Sequence, residues 1–329
     1  MRLLVLLAVL WTAAAWGQAQ FPSKPVRWIV PTGPGSAVDV TARRIAPKLA
    51  EALGQPVIVD NRPGANSMIG ARETARSAPD GYTLFQAVVN NALNDILVPD
   101  ECCKLNEKLV PVTRLVSTPL VMVVHPSVPA HSVKEYVALA KSKPNQLTYA
   151  SGGNGAITQM AGELLKIITG IQVREIPYKA IGAEFPDLVG GHVDTAYLAP
   201  VVIRDAIKSG KMRGLAVAGP RRIGIIGDVP TMAEAGFPAI DAIGWNGIFV
   251  PAGTPAPVID RLQHEIAGIL KSKEMVDDAQ NLGYELGGER PQEFGNYVRA
   301  EIEKWGKVVK QAGIKIEKRK ESWFASCWD

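Results

Sequence analysis

From Lys24 onward, short β-branched segments alternate with segments whose apolar residues recur every three or four positions. The first strand is predicted at VRWIV (26–30), and it precedes a helical pattern at Val38, Ala42, Ile45, Ala46, Leu49 and Leu53. The remaining predicted strands are 56–60, 82–89, 112–126, 147–151, 192–198 and 212–218. Predicted helices lie between them around 133–142, 157–169 and 200–208. This alternation predicts an α/β protein built mainly from parallel sheets.

The segment at 112–126 is too long and too apolar to be a single edge strand. We interpret it as a crossing between two domains, with the return crossing at 245–255. Two domains also agree with the length of 329 residues, because one domain usually takes about 100–200 residues. Two amphipathic helices follow the return crossing, at 258–269 and 294–309.

The first residues have the order of a secretory signal peptide: basic Arg2, an apolar run from Leu3 to Trp16, and then small residues. The apolar run has 14 residues, whereas a membrane span needs about 20. We predict a signal peptide over 1–19 that is cleaved near Ala19, and therefore a periplasmic protein. The alternative is a buried N-terminal helix.

Composition excludes several classes of partner and cofactor. With 36 Lys and Arg against 32 Asp and Glu, the net charge of +4 is too small and too dispersed for a nucleic-acid surface. The four histidines share no metal-ligand spacing, and Cys102, Cys103 and Cys327 do not fit a zinc site. We expect no metal and no cofactor. We prefer the interpretation that the cysteines are free thiols. A disulfide from Cys102 or Cys103 to Cys327 is an open alternative.

Two glycine-rich loops, PTGPGSAVD (31–39) and SGGNGAITQ (151–159), each lie between a strand and a helix. Unpaired amides at a helix N-terminus bind small anions, and glycine leaves room for the anion to approach. We expect the loops to face each other at the carboxyl ends of the strands, with Ser36 and Ser151 as additional donors. Neither loop has a nucleotide fingerprint, and the hydrolase motifs are absent, so the sequence predicts a binding site rather than an enzyme.

Four segments together resemble the extracytoplasmic receptors of tripartite tricarboxylate transporters, the Bug-type solute-binding proteins. They lie at 31–84, 176–194 (IPYKAIGAEFPDLVGGHVD), 227–238 (GDVPTMAEAGFP) and 245–255 (WNGIFVPAGTP). The resemblance covers the chain from about Pro25 to Ile314. It implies a Venus-flytrap periplasmic binding protein of two α/β domains, with one domain at 20–121 plus 250–315 and the other at 122–249. Residues 316–329 are then a tail.

The resemblance also implies a function: capture of a small organic carboxylate, or dicarboxylate, and delivery to the membrane permease subunits of a transporter. A monomer without a cofactor or a nucleic-acid partner is expected. Two alternatives are a ligand-sensing partner of a membrane sensor kinase and, less favoured, a secreted enzyme.

The same resemblance assigns the ligand-binding residues. They are Thr32, Gly33, Gly35, Ser36, Ala65, Asn66, Ser67, Asn90, Ser151, Gly152, Asn154, Gly155, Ala156, Tyr178 and Asp194. Asp39, Arg43 and Arg62 also match, either as pocket residues or as braces of the fold. The chain departs from the family's usual residues at Thr32 (usually an aromatic), at Ser36, Asn66, Ser67 and Ala180 (usually glycine), and at Ala156 (usually a hydroxyl residue). Since Thr32, Ser36, Asn66 and Ser67 add polar groups, we expect a ligand that is polar at both ends.

Overall fold

The computed structural model of the chain describes residues 21–98, 104–178 and 182–314. The predicted signal peptide, the three cysteines, Ala180 and the predicted tail lie outside the described residues. Of the helices in these three ranges, none is both long and apolar enough to cross a membrane.

Strands and helices alternate through the described ranges, as predicted. The strands are β1 (Val26–Val30), β2 (Val57–Asn61), β3 (Thr83–Val88), β4 (Leu109–Val124), β5 (Thr148–Ser151), β6 (Arg174–Pro177), β7 (Thr195–Leu198), β8 (Arg213–Ala218), β9 (Ile243–Pro251) and β10 (Glu285–Leu286). The helices are α1 (Ala37–Leu53), α2 (Met68–Ala75), α3 (Val89–Leu97), α4 (Val133–Ser142), α5 (Ile157–Thr169), α6 (Phe185–Val189), α7 (Pro200–Lys208), α8 (Ala256–Leu270), α9 (Lys273–Leu282) and α10 (Pro291–Ala312).

The long strand β4 belongs to two sheets. From Leu109 to Pro119 it pairs with β9, which continues the first sheet through β3, β1 and β2. From Leu120 onward it pairs with β8, and from Val121 with β7, which continues the second sheet through β5 and β6. The predicted crossing at 112–126 therefore falls on β4, which belongs to both sheets. The predicted return crossing at 245–255 falls on β9, which pairs with β3 and β4 within the first sheet.

The sheets are mixed rather than mainly parallel. Strand β1 pairs in parallel with β2 and β3, and β5 pairs in parallel with β6 and β7. The central strands β4 and β9 are antiparallel to each other, β9 is antiparallel to β3, and β4 is antiparallel to β7 and β8.

One apolar cluster continues beneath both sheets. It contains Phe85 of β3, Tyr136 of α4, and Trp305 of α10, all of them fully or almost fully buried. Helix α10 contacts α3 on the side of the first sheet and α5 on the side of the second. The last long helix thus connects the two halves of the molecule.

The predicted elements are mostly confirmed, with two corrections. Helices α4, α5 and α7 occupy the predicted ranges. The strand predicted at 82–89 ends at Val88, and helix α3, which the sequence did not predict, begins at Val89. The strand predicted at 192–198 begins only at Thr195.

Candidate functional site

The register of the strands brings two sets of carboxyl ends toward each other. Val88, the last residue of β3, pairs with Asn246, which pairs with Val116 of β4. Leu198, the last residue of β7, pairs with Val121 of β4. Strand β3 runs in the direction of β4 and β7 runs against it, so the two ends point at each other. Along β4 they are five residues apart, or about 16 Å.

The first glycine-rich loop connects β1 to α1 and is held by its own side chains. The Ser36 hydroxyl caps α1 by accepting the amide of Asp39 at 3.2 Å. The Thr32 hydroxyl lies 2.6 Å from the Ser36 hydroxyl. A bond between two hydroxyls uses one of their two protons, so the other proton stays available to a ligand.

Asp39 is the residue that fixes this loop. Its buried carboxylate, 2% exposed, accepts hydrogen bonds from the Gly35 amide (2.9 Å), Asn61 Nδ2 (2.8 Å) and Arg43 Nε (2.9 and 3.0 Å). Burial by itself would raise the pKa of Asp39, but these donors lower it below its ordinary value. Asn61 Nδ2 also donates to the Thr32 carbonyl at 2.9 Å.

The cationic side chains near this loop already have acidic partners. Arg43 is paired with Asp39, and Arg62 lies 3.2 Å from Asp60. This arrangement supports the bracing alternative for Asp39, Arg43 and Arg62 that the sequence left open.

A second segment, Ala65–Ser67, lies in a left-handed backbone conformation before α2. The Asn66 side chain accepts a hydrogen bond from Asn90 Nδ2 at 2.8 Å and donates one to Asn94 Oδ1 at 2.9 Å. The structure therefore brings Asn66 and Asn90 together and adds Asn94. Sequence reasoning missed Asn94 because it did not predict α3.

The second glycine-rich loop, between β5 and α5, is also held from within. The Ser151 hydroxyl donates to Glu175 Oε1 at 2.5 Å and accepts the amide of Gly153 at 3.1 Å. Its proton is therefore already used, so Ser151 orders the loop, in contrast to the prediction that it donates to a ligand.

Side chains of the first turn of α5 bind two further amides of that loop. Thr158 Oγ1 accepts from Gly152 at 2.8 Å, and Gln159 Oε1 accepts from Gly155 at 3.0 Å. Gln159 Nε2 in turn lies 3.2 Å from both Asn154 Oδ1 and Glu175 Oε2. Thr158, Gln159 and Glu175 were missed, although polar residues in the first turn after a glycine loop were a signal for the first two.

Three helices begin at the converging ends without a polar residue at the N-cap. The N-caps of α3, α5 and α7 are Val88, Ala156 and Ala199. Elsewhere, Ser132 and Ser272 cap α4 and α9 with their hydroxyls, whereas α8, which follows Pro255, also begins without a side-chain cap.

First-turn amides without an N-cap acceptor carry a partial positive charge, which favours an anion at these N-termini. Helix α7 contributes fewer such amides, because Pro200 has no N–H and the Val202 amide donates to the Ala199 carbonyl at 3.1 Å.

Tyr178 lies beside the second loop, at the end of β6. Its amide donates to the Ser151 carbonyl at 2.8 Å, and its hydroxyl donates to Asp187 Oδ2 at 2.5 Å. Burial and the Asp187 carboxylate raise the pKa of Tyr178 to about 12, so it is a neutral hydroxyl at physiological pH.

Asp194 is a correction to the predicted site. It precedes β7, and its carboxylate accepts from the amide (2.7 Å) and hydroxyl (2.8 Å) of Thr148, the first residue of β5. Strands β5 and β7 are parallel, so Asp194 lies at their amino ends. The glycine loop follows Ser151 at the opposite end, and Asp194 therefore belongs to the sheet and not to the site.

The described ranges contain no group of three or more His, Cys, Asp or Glu side chains that could hold a metal ion. Hydrogen-bond donors from backbone, hydroxyl and amide groups make up the chemistry of the site.

Comparison with known proteins identifies relatives of the whole chain. The sequence model of the tripartite tricarboxylate transporter family receptor matches residues 41–314. Protein BugT of Bordetella pertussis is 34% identical over 315 residues, which cover 95% of this chain and 97% of BugT.

Solved structures show the same architecture, that of two-domain periplasmic binding proteins. Rpa4515 of R. palustris, solved with adipate, is 31% identical with a TM-score of 0.77, over 90% of this chain and 99% of that one. MatC from Rhodopseudomonas palustris, solved with bound malate, is 28% identical with a TM-score of 0.74, over 88% of this chain and 100% of that one.

Proposed function

The chain belongs to the tripartite tricarboxylate transporter receptor family, and we propose that it captures a small organic dicarboxylate and delivers it to a membrane transporter. The family consists of solute-binding receptors and not of enzymes. The choice of a dicarboxylate, the residues that bind it and the transporter partner are the parts we propose.

The observation that carries this proposal is the set of helix N-termini that meet at the converging carboxyl ends. Helices α3, α5 and α7 all begin there behind residues without a polar side chain. A ligand carboxylate supplies the acceptors that these first turns lack, and hydrogen bonds to a charged group are each worth about 1.5–3 kcal/mol.

We also propose that the far end of the ligand, away from the helix N-termini, is bound by side-chain donors of the first loop, of the segment Ala65–Ser67 and of α3. One proton of the Thr32–Ser36 pair stays available, and Asn66 Nδ2 and Asn90 Nδ2 each have a second proton beyond the bond described above. A second carboxylate accepts from these donors, whereas an alkyl end would leave them without partners. Adipate in Rpa4515 and malate in MatC, both dicarboxylates, support this choice.

We further propose that export precedes binding. The order of residues at the N-terminus supports cleavage near Ala19. The switch of β4 between sheets at Leu120 supports a lobe boundary near 121. Since β9 pairs with β3 and β4 of the first sheet from Ile243 onward, the return to the first lobe is better placed near residue 242 than at the predicted boundary between 249 and 250. Mass spectrometry of exported protein should find a chain that starts near Gln20, and retention of Met1 would contradict cleavage.

Titration calorimetry with adipate, malate and hexanoate tests the ligand class. Hexanoate matches the length of adipate and lacks its second carboxylate. We expect a dicarboxylate to bind at least tenfold more tightly than hexanoate, about 1.4 kcal/mol. Equal affinities would contradict the role of the far-end donors. Failure of every acid in a wider thermal-shift screen of mono-, di- and tricarboxylates would contradict the proposed function itself.

A further inference from the structure

Three successive residues with side chains adopt positive φ angles at the site: Ala65 (46°), Asn66 (50°) and Ser67 (74°). This region of backbone conformation suits glycine, and for other residues the Cβ atom approaches the following carbonyl oxygen. A run of three such residues persists only where the surrounding structure holds it in place. Ala65 and Asn66 are exposed, so packing alone does not hold them.

Asparagines of α3 supply the holding contacts. Asn94 Nδ2 donates to the Asn66 carbonyl oxygen at 2.8 Å, and Asn94 Oδ1 accepts from Asn66 Nδ2 at 2.9 Å. Asn91 Nδ2 donates to the Ser67 carbonyl oxygen at 3.3 Å, and Asn90 Nδ2 donates to Asn66 Oδ1 at 2.8 Å. Four hydrogen bonds thus attach the turn to one helix.

The three asparagines differ in what else they can do. Asn90 is half-buried at the start of α3, whereas Asn91 and Asn94 are each 2% exposed. Asn91 Oδ1 is also occupied by the amide of Val88, at the first turn of α3. Asn94, one helical turn beyond Asn90, binds both the backbone and the side chain of Asn66 from beneath.

We propose that Asn94, assisted by Asn91, is a positioning residue for ligand recognition. It holds the left-handed turn 65–67 so that Asn66 and Asn90 direct their remaining amide protons at the ligand, and it does not touch the ligand itself. This inference rests on the proposed function of the site. It adds a buried layer behind the ligand-binding residues.

Substitution of Asn94 by alanine isolates this role. Alanine is the best helix former, and the backbone bond from the Val98 amide to the Asn94 carbonyl does not involve the side chain. Helix α3 therefore stays intact, and among the described residues the change removes the hydrogen bonds that the Asn94 side chain forms with Asn66. N296A, at an exposed asparagine of α10, is the matched control.

Two measurements on each variant report on the turn and on binding. The first is hydrogen–deuterium exchange of the Met68 amide, which donates to the Ala65 carbonyl within the turn. The second is titration calorimetry with adipate and with malate. In N94A we expect about tenfold faster exchange and about tenfold weaker binding, or 1.4 kcal/mol, with N296A unchanged.

A glycine rescue separates positioning from direct contact. In the double variant N94A/A65G, glycine adopts the angle at position 65 without steric penalty, so we expect part of the lost affinity to return. The proposal is overturned if N94A has the same exchange rate and the same affinity as N296A. It is also overturned if the affinity lost in N94A does not recover at all in N94A/A65G. If neither acid binds the unaltered chain, the proposed acid class has failed, and the exchange rates alone decide the role of Asn94.

Discussion

Replacement of Asp39 by asparagine tests how the first loop is built. Asparagine keeps the size of the side chain but removes the charge, and its NH2 group cannot accept from the Gly35 amide, Asn61 and Arg43 as the two carboxylate oxygens do. We expect D39N to fold, to lose stability, and to bind ligand more weakly because residues 32–36 are less ordered.

The size of the loss follows from the partners of the carboxylate. A hydrogen bond to a charged group is worth about 1.5–3 kcal/mol when it is shielded from water. The Gly35 and Asn61 contacts are part-buried, whereas the Arg43 side chain is 53% exposed and contributes about 1 kcal/mol or less. Since asparagine retains one acceptor, the free energy of unfolding should fall by about 2–4 kcal/mol at pH 7.

The stability difference between the unaltered protein and D39N depends on pH, and its direction follows from the pKa of Asp39. The pKa of Asp39 is lowered in the folded protein relative to about 3.9 in the unfolded chain. Its stabilising effect is therefore complete above about pH 4 and is lost as the pH falls through the lower, folded-state pKa. The difference between the unaltered protein and D39N should be largest at pH 7 and should shrink below about pH 4.

Urea unfolding followed by tryptophan fluorescence, at pH 7 and at pH 3, measures this difference. D277N is the matched control, because Asp277 forms a surface pair with Lys273 at 2.5 Å, and such pairs contribute about 0.5 kcal/mol or less. The reasoning is refuted if D39N is as stable as D277N at pH 7. It is also refuted if the loss at pH 7 persists in full at pH 3.

Further predictions concern the second loop, the crossing strands and the motion of the lobes. Ser151→Ala should weaken binding by about tenfold in calorimetry, because the loop loses its bond to Glu175, and Gly155→Val should weaken it more, because φ is +76° there. Gly247→Ala should lower the free energy of unfolding by about 1–3 kcal/mol in thermal denaturation, since its Cβ would lie 2.4 Å from the Phe294 ring. Small-angle scattering should show a smaller radius of gyration with bound ligand, whereas an unchanged value would indicate that the cluster shared by both sheets holds them rigid.

Local patterns in the sequence were enough to predict most of the elements. The helix at 133–142 and the strand at 26–30 are found as predicted, because spacing of apolar residues directly records which face of an element is buried. The two glycine-rich loops were also identified locally, from the glycines between a strand and a helix. The length and apolarity of 112–126 were enough to mark the strand β4, which belongs to both sheets.

Tertiary structure decided which of the predicted groups are free to bind. Ser151 and Asp194 are both predicted ligand contacts. In the structure the Ser151 hydroxyl donates to Glu175, and the Asp194 side chain lies at the amino ends of β5 and β7, away from the site. Asn94 carries no local signal, because its partner Asn66 is distant along the chain. Hydrogen-bond partners and strand direction depend on residues that meet only after folding, whereas the periodicity of apolar residues is a property of each element's own sequence.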